Sequence, residues 1–171
     1  YSRAIAQAID QDYDVIILGS ITDAIVAEPL KAAREAGIIV GSVDGGNTPS
    51  ETGVSFEADQ PVEQQGVDMA NYMIWKTDGE AVVNLLMDDS YYVVQGWMGA
   101  ALETFENCAG CTVAKIDNMV ASDAETRIPS LVSANLRQDP DINVVIGGYD
   151  HALMATVPTL ESSLREGVRI G

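Results

Sequence analysis

The chain has 171 residues, of which 47% are hydrophobic, and its formal net charge at pH 7 is −17. This charge argues against nucleic acid as a partner, because binding there requires Lys and Arg to neutralise phosphates, and it also disfavours anionic membrane surfaces. The longest apolar runs are far shorter than the roughly 20 residues that span a bilayer. The length allows one large domain or two smaller lobes with a sizeable core.

The predicted elements alternate along the chain. Residues 1–10 predict a helix with a polar face and no signal peptide. Short runs rich in β-branched residues predict strands at 14–20, 37–43, 52–58, 81–87, 111–117 and 142–148. Helical patterns predict helices at 23–36, 61–76, 93–107, 123–138 and 151–165. This alternation is typical of an α/β fold with parallel sheets, whose strands are buried on both faces.

The ends and the middle of the chain carry further signals about its organisation. Residues 168–171 predict the start of another strand, so we expect the chain to be a fragment that opens and closes inside elements. A polar, turn-forming stretch at 76–79 predicts a boundary between two lobes, at 1–77 and 78–171.

Several helix starts have chemical signals. Ser122 and Glu125 have the spacing of a capping box, and Pro129 predicts a late start or a kink in the same helix. We interpret Asp23 and Asp123 as helix N-caps, a role in which Asp is common.

The two cysteines form the motif Cys108-Ala-Gly-Cys111. A zinc site is not favoured, because there is a single CxxC pair and the one histidine, His151, is distant in sequence. A redox CxxC usually opens a helix after a strand, whereas this one lies between a helical pattern and a strand. We predict a structural disulfide, which indicates an oxidising compartment. Two free, partly buried thiols are the alternative.

Carboxylates collect where the predicted strands end. The run IIVGSVDGG at 38–46 ends in Asp44, and the other strand-end acids are Asp23, Asp88, Asp89, Asp117 and Asp150. In open parallel sheets, ligands bind beyond the carboxyl ends of the strands. No helical pattern follows Asp44, so ligand binding is favoured over capping there, and Gly45 and Gly46 allow a sharp turn. For Asp150, capping and ligand binding both stay open.

The residues favour binding without catalysis. The sequence shows no nucleophile–base pair, no histidine cluster and no phosphate-cradling glycine loop, so we predict no catalytic residues, no cofactor and no metal. Carboxylates with few cations suit a neutral ligand with many hydroxyl groups. An anionic ligand would be repelled by the net charge.

Three stretches carry a resemblance to a known family. They are AIDQDYDVIILGSITDAIVAEPLKAAREAGIIVGSVDGG at 8–46, the turn Gln138-Asp-Pro-Asp-Ile142, and Gly148-Tyr149-Asp150. Their order and spacing resemble the type I periplasmic binding proteins, the sugar-binding receptors of ABC transporters, over nearly the whole chain. The resemblance implies two Rossmann-like parallel-sheet lobes, incomplete here at both ends, that are joined by a hinge and close on a ligand.

The resemblance also implies a function and a set of site residues. The ligand is expected to be a small polar molecule, a sugar or a polyol, delivered to an ABC transporter permease from the periplasm or the extracellular space. Asp44 and Asp150 match the strand-end aspartates of the family. Tyr91, Tyr92 or Tyr149 supplies a stacking face or packs as a half-buried side chain. The predicted ligand-binding residues are Asp44, Gly45, Tyr91, Ser130, Tyr149 and Asp150.

Rival hypotheses use the same scaffold or the same acids. The effector domain of a LacI-type transcription regulator would need a helix-turn-helix before residue 1, and the acidity and the CxxC favour the receptor instead. A quorum-signal or nucleoside receptor differs only in a few side chains at the site. A small α/β enzyme could hold a divalent metal at Asp88 and Asp89.

Overall fold

A computed structural model describes residues 1–123, 125–162 and 167–171 of the chain. It contains one three-stranded and one four-stranded sheet, each parallel throughout, so the predicted α/β fold is confirmed. The contacts divide the chain into a first unit, Tyr1–Gln60 with Tyr91–Val93, and a second unit, Pro61–Ser90 with Val94–Gly171. Among the described helices, none combines the length and the hydrophobicity needed to cross a membrane.

The first unit is built on the three-stranded sheet, in the order β1-β2-β3. Its elements are α1 (Ser2–Asp10), β1 (Val15–Gly19), a 3-10 turn (Asp23–Val26), α2 (Ala27–Glu35), β2 (Ile39–Val43) and β3 (Phe56–Ala58). Gly37 follows α2 with a φ of 82°, a left-handed conformation that glycine adopts freely and that ends the helix.

Within the part of the chain that the structure describes, one face of this sheet is covered and the other is open. Ile5 of α1 and Leu30 of α2 pack with Leu18 and Val40 of the strands into the core of the first unit. The opposite face carries apolar side chains that are 39% to 52% exposed, namely Val15, Ile17, Ile39, Val43 and Phe56. The expectation that every strand is buried on both faces is therefore wrong for this sheet.

The second unit is built on the four-stranded sheet, in the order β5-β4-β6-β7. Its elements are α3 (Val62–Lys76), β4 (Val82–Met87), α4 (Tyr92–Glu106), β5 (Thr112–Asn118), a 3-10 turn (Ala121–Asp123), α5 (Ile128–Gln138), β6 (Val144–Gly147), α6 (Asp150–Met154), α7 (Val157–Ser162) and β7 (Arg169–Ile170). The first two residues of α4 are grouped with the first unit.

Both faces of the central strands are covered in the second unit. Leu86 of β4 and Val145 of β6 belong to a core that includes Val132 of α5. Val83 and Leu85, which alternate with Leu86 along β4, are also fully buried. Side chains of a strand alternate between the two faces of a sheet, so neither face is open to solvent at these positions.

The units divide at a different place from the predicted lobe boundary. The lobe boundary at residue 77 stays a prediction, and the contacts divide the compact units between Gln60 and Pro61. Helix α3 belongs to the second unit because it packs closely on α4. A Cβ at Gly66 would overlap the carbonyl of Trp97, and one at Gly96 would lie 2.7 Å from the Val62 side chain.

Two predicted helix caps are wrong. Helix α5 begins at Ile128 rather than near Ser122, and Pro129 stands in its first turn, as a late start requires. Asp23 does not cap the 3-10 turn that it opens; its Oδ2 accepts a bond of 3.4 Å from the Val54 amide, so it ties two loops together. The cap predicted for Asp123 lies outside the described side chains.

The predicted disulfide is confirmed. Cys108 and Cys111 are bonded in the connection between α4 and β5, and both sulfurs lie within 3.7 Å of the Gly79 carbonyl oxygen. The bridge therefore joins the end of α4 to the start of β5, next to the turn that follows α3.

Candidate ligand-binding site

Asp44 lies where β2 ends, in an uncommon backbone conformation. The ladder continues to this point, because the Asp44 amide donates to the Ala58 carbonyl over 3.0 Å. The φ of Asp44 is 54°, in the left-handed region, and Ser20 has the same value just after β1. Asp tolerates this region better than most residues, yet such strained conformations cost about 1–3 kcal/mol and cluster at functional sites. Asp12 and Asp78 have nearly the same φ in other turns, so the functional interpretation of this turn rests on its place at the strand end.

The two glycines after Asp44 are required by close contacts. A Cβ at Gly45 would overlap the side-chain amide of Asn47 and the carbonyl of Ile21. A Cβ at Gly46 would lie 2.7 Å from the ring of Tyr92, and the φ of Gly46 is 65°. The space beside the glycines is therefore occupied, by an amide at one and by an aromatic ring at the other. Tyr92 is 38% exposed, so part of its ring remains open.

Polar side chains of β2 and β3 form hydrogen bonds that hold this turn in place. The register pairs Ser42 of β2 with Glu57 of β3, and the Ser42 hydroxyl donates to Glu57 Oε2. Glu57 Oε1 accepts from the Gly45 amide over 2.7 Å. Ser42 is fully buried and Glu57 is half-buried, so both need partners to offset desolvation. The carboxylate on β3 thus holds the backbone that follows Asp44.

Asn47 completes the cluster and joins it to the loop after β1. Its Nδ2 donates to the Ile21 carbonyl and to Ser42 Oγ, each over 3.0 Å, and lies 3.3 Å from Glu57 Oε2. Its Oδ1 accepts from the Asp23 amide over 2.7 Å. One amide side chain therefore ties together the ends of β1 and β2 and the strand β3.

The Asp44 carboxylate has a partner of its own. Its Oδ2 accepts a bond of 2.8 Å from Gln60 Nε2, near the end of the first unit. Asp44 is half-buried, so its carboxylate retains contact with solvent. The turn Asp44–Asn47 with Ser42, Glu57, Gln60 and Tyr92 is called the Asp44 site below.

A second polar group lies at the strand ends of the second unit. Asp88 follows β4 and is only 1% exposed. Its Oδ1 accepts from the Ser90 amide over 2.8 Å, and its Oδ2 accepts from the Tyr149 hydroxyl over 3.2 Å. Tyr149 is half-buried and packs on the core of the second unit, so packing and polar roles are combined in one side chain. Exposed Asp150 follows it and begins α6.

The six predicted site residues fall in both units. Asp44 and Gly45 lie together at the Asp44 site, and half-buried Tyr91 is grouped with the first unit. In the second unit, Tyr149 contacts Asp88, and Asp150 follows Tyr149 in sequence at the start of α6. Ser130 is exposed in the first turn of α5, where its hydroxyl donates to the Arg127 carbonyl over 2.8 Å. Contact of these residues with a ligand stays a prediction.

Sequence reasoning missed Ser42, Asn47 and Glu57. Glu57 is the one charged residue in the predicted strand at 52–58, and Ser42 is the one hydroxyl residue in the strand at 37–43. Polar residues inside apolar strand runs were the available signal, because buried polar groups need partners. Their pairing depends on the register of β2 and β3, which the sequence does not give.

A surface pocket in the first unit does not coincide with the Asp44 site. A surface pocket of about 750 Å³ lies between α2 and the loop 48–53, and charged residues of both signs line it, including Asp23, Lys31 and Arg34. Its cations are already engaged, Lys31 with Glu35 and Arg34 with the Gly53 carbonyl. Among the described residues, no group of three His, Cys, Asp or Glu is placed to hold a metal ion.

In α/β proteins with open parallel sheets, ligands bind beyond the carboxyl ends of the strands, which is where Asp44 and its polar cluster lie. The family model described as the periplasmic binding protein domain matches residues 2–170. The chain belongs to this family, and the resemblance seen in the sequence is confirmed. No curated protein matches the sequence.

Solved structures share the fold at low sequence identity. A sugar ABC transporter protein from Yersinia enterocolitica aligns with a TM-score of 0.83 and 20% identity, over 98% of this chain and 51% of that one. A 5-methylthioribose transporter solute-binding protein from Thermotoga lettingae aligns with a TM-score of 0.84 and 16% identity, over 99% of this chain and 53% of that one. A solute-binding protein from Burkholderia graminis, in complex with D-arabinose, aligns with a TM-score of 0.82 and 18% identity, over 99% of this chain and 59% of that one.

The chain is therefore shorter than these relatives. It spans between 51% and 59% of the three solved chains just named, although almost all of its own residues align with each of them.

Proposed function

We propose that the chain is part of a solute-binding receptor that takes a small neutral polar ligand, a sugar or a polyol, for uptake by an ABC transporter. The observation that carries the proposal is Asp44. Its carboxylate stands at a strand end, in a left-handed turn. A neighbouring carboxylate holds the following amide in place.

The chemistry of the Asp44 site suits hydroxyl groups. A carboxylate accepts hydrogen bonds from hydroxyls, and such charge-assisted bonds are stronger than neutral ones. The partly exposed ring of Tyr92 beside Gly46 offers an apolar face to the carbon side of a sugar ring. The net charge of −17 disfavours an anionic ligand.

The relatives support a ligand of this class. Solved proteins of this fold are in complex with D-arabinose, with 5-methylthioribose and with allitol. These are neutral molecules with several hydroxyl groups. The permease is the partner expected for a receptor of this family, and we propose no enzymatic activity.

The disulfide supports a location outside the cytoplasm. Disulfides persist in oxidising compartments such as the periplasm and are rare in the cytosol. The Cys108–Cys111 bridge therefore favours a periplasmic or extracellular receptor over the effector domain of a cytoplasmic transcription regulator. A nucleoside or quorum-signal receptor is the remaining alternative, and it differs from a sugar receptor only in the ligand.

A thermal-shift screen tests the ligand class. The chain is heated with pentoses, hexoses, polyols, nucleosides and, as a charged comparison, sugar phosphates. A ligand that binds only the folded state stabilises it by about 2.7 kcal/mol at a hundredfold excess over its Kd. We expect a shift with a neutral sugar or polyol. A shift with nucleosides alone would replace the sugar proposal, and a shift with sugar phosphates alone would refute it.

The variant Asp44→Asn tests the residue. It keeps the shape and the tolerance for the left-handed region but loses the charge. A hydrogen bond to a charged group contributes about 1.5–3 kcal/mol, so affinity should fall about tenfold to a hundredfold. Asp12→Asn is the matched control, because Asp12 has a φ of 53° and lies in the turn after α1. Equal affinity of the wild type and Asp44→Asn would remove Asp44 from the site.

A further inference from the structure

We infer that Glu57 and Asn47 are positioning residues that set the affinity of the Asp44 site without touching the ligand. The inference rests on the proposed function, because it concerns the same site. Neither residue stands at a strand end, and neither was selected from the sequence. Their contacts converge on the backbone of the turn.

Glu57 fixes the orientation of the peptide group between Asp44 and Gly45. The Gly45 amide donates to Glu57 Oε1 over 2.7 Å. The peptide bond is planar and trans, so the Asp44 carbonyl, which shares the plane of this amide, points the opposite way. The orientation of that plane fixes ψ of Asp44. Glu57 therefore restrains the ψ of Asp44, while the bond from the Asp44 amide to the Ala58 carbonyl holds the preceding peptide plane, on the φ side.

Glu57 is itself held by the side chains of Ser42 and Asn47. Its other oxygen, Oε2, accepts from the Ser42 hydroxyl and from Asn47 Nδ2. Asn47 is in turn held by the Ile21 carbonyl and by the Asp23 amide. The carboxylate thus has partners on both oxygens and little freedom to rotate. A satisfied polar network of this kind is rigid, whereas a partly satisfied one is unfavourable.

Glu57 acts on the turn rather than on the apolar core of the first unit. β3 is an edge strand of three residues, and Glu57 joins its side chain to a turn rather than to the core of the first unit. Removing the Glu57 carboxylate leaves the apolar cluster of the first unit complete. The main loss falls on the conformation of residues 44–47, where the proposed ligand binds.

The first readout needs no ligand. Amide hydrogen exchange at Gly45 is measured in the wild type, Glu57→Ala, Asn47→Ala and the control Glu51→Gln, a change at an exposed loop residue. We expect exchange at Gly45 to be at least about tenfold faster in Glu57→Ala, because its acceptor is gone. Glu57→Gln, which keeps one acceptor oxygen, should restore part of the protection. Unchanged exchange at Gly45 in both alanine variants would overturn the inference.

The second readout is a double-mutant cycle in affinity for D-arabinose. If Glu57 acts through Asp44, the single variant Glu57→Ala should bind about tenfold more weakly than the wild type. The double variant, Asp44→Asn with Glu57→Ala, should bind no more weakly than Asp44→Asn alone. Independent sites would instead show additive losses. A loss from Asp44→Asn with none from Glu57→Ala would overturn the inference. Failure of the wild type to bind D-arabinose or any other sugar or polyol of the thermal-shift screen would count against the proposed function, while hydrogen exchange would still decide whether Glu57 positions the turn.

Discussion

The two sheets of this protein are built from similar sequences but are covered differently. In the second unit, Leu85 and Leu86 point to opposite faces of β4, and both are fully buried. In the first unit, Leu18 is buried under α1 and α2, whereas Ile17 beside it is 52% exposed. Apolar β-branched runs occur in both sheets. An apolar β-branched run therefore predicts a parallel strand, but it does not predict whether each face of that strand is covered.

The register makes the exposed face of the first sheet continuous. Val15 pairs with Ile39, and Ile17 lies in one row with Gly41 and Phe56. The Phe56 ring lies over Gly41, where a Cβ would overlap it. The patch is therefore a contiguous apolar surface rather than a scatter of single side chains.

The largest expected effect is the loss of stability when a cavity is made in the covered sheet of the second unit. Leu85→Ala should cost about 2–5 kcal/mol, the range for fully buried leucines, while Ile17→Ala should cost less than about 1 kcal/mol because half of the side chain is already in water. Urea unfolding followed by circular dichroism measures both. Both tryptophans, Trp75 and Trp97, lie in the second unit, so their fluorescence reports the effect of Leu85→Ala on that unit. Equal losses in the two variants would contradict the difference in covering.

A smaller effect tests the exposed face directly. Ile17→Lys should lower the fluorescence of bound Nile red about twofold, because it interrupts a contiguous apolar patch. Nile red is chosen because it is neutral, whereas the protein carries a net charge of −17. Ile116→Lys is the matched control: Ile116 is 51% exposed but stands between Lys115 and Asp117 on the edge strand β5. The same decrease in both variants would mean that the dye does not recognise the patch.

Much of the fold was predictable because it rests on local signals. The predicted strand at 81–87 is observed at Val82–Met87, and the predicted helix at 61–76 is observed at Val62–Lys76. Apolar periodicity and turn residues define such elements without knowledge of the rest of the molecule. The start of α5 was missed because Ser122 and Glu125 have capping spacing, yet the regular helix begins only at Ile128. Local spacing permits a cap and does not require one.

The Asp44 site was predictable in part. The position of Asp44 at a strand end follows from the alternation of elements, and the structure has it there. Its left-handed φ and the supporting cluster were not predictable, because Ser42, Asn47 and Glu57 meet only through the register of β2 with β3. The covering of α3 by α4 was missed for the same reason, since the close approach of Gly66 to Trp97 is a contact between distant residues.

The smallest effect concerns two of the three aspartates with a left-handed φ, Asp44 in the first unit and Asp78 in the second. Asp44 and Asp78 both have a φ of 54°, so glycine would relieve strain at each while raising the entropy of the unfolded chain. These terms oppose each other, and each substitution should change the free energy of unfolding by no more than about 1 kcal/mol.

The two variants should nevertheless differ in function: Asp44→Gly removes the carboxylate that accepts from Gln60, whereas Asp78 lies in the turn after α3. We expect Asp44→Gly to weaken sugar binding about tenfold or more, the value of a hydrogen bond to a charged group. Asp78→Gly should leave binding unchanged. Urea unfolding and calorimetric titration with D-arabinose measure the two quantities on the same samples. A large loss of stability in Asp44→Gly, with affinity retained, would make the strained turn a structural feature of the first unit rather than a binding site.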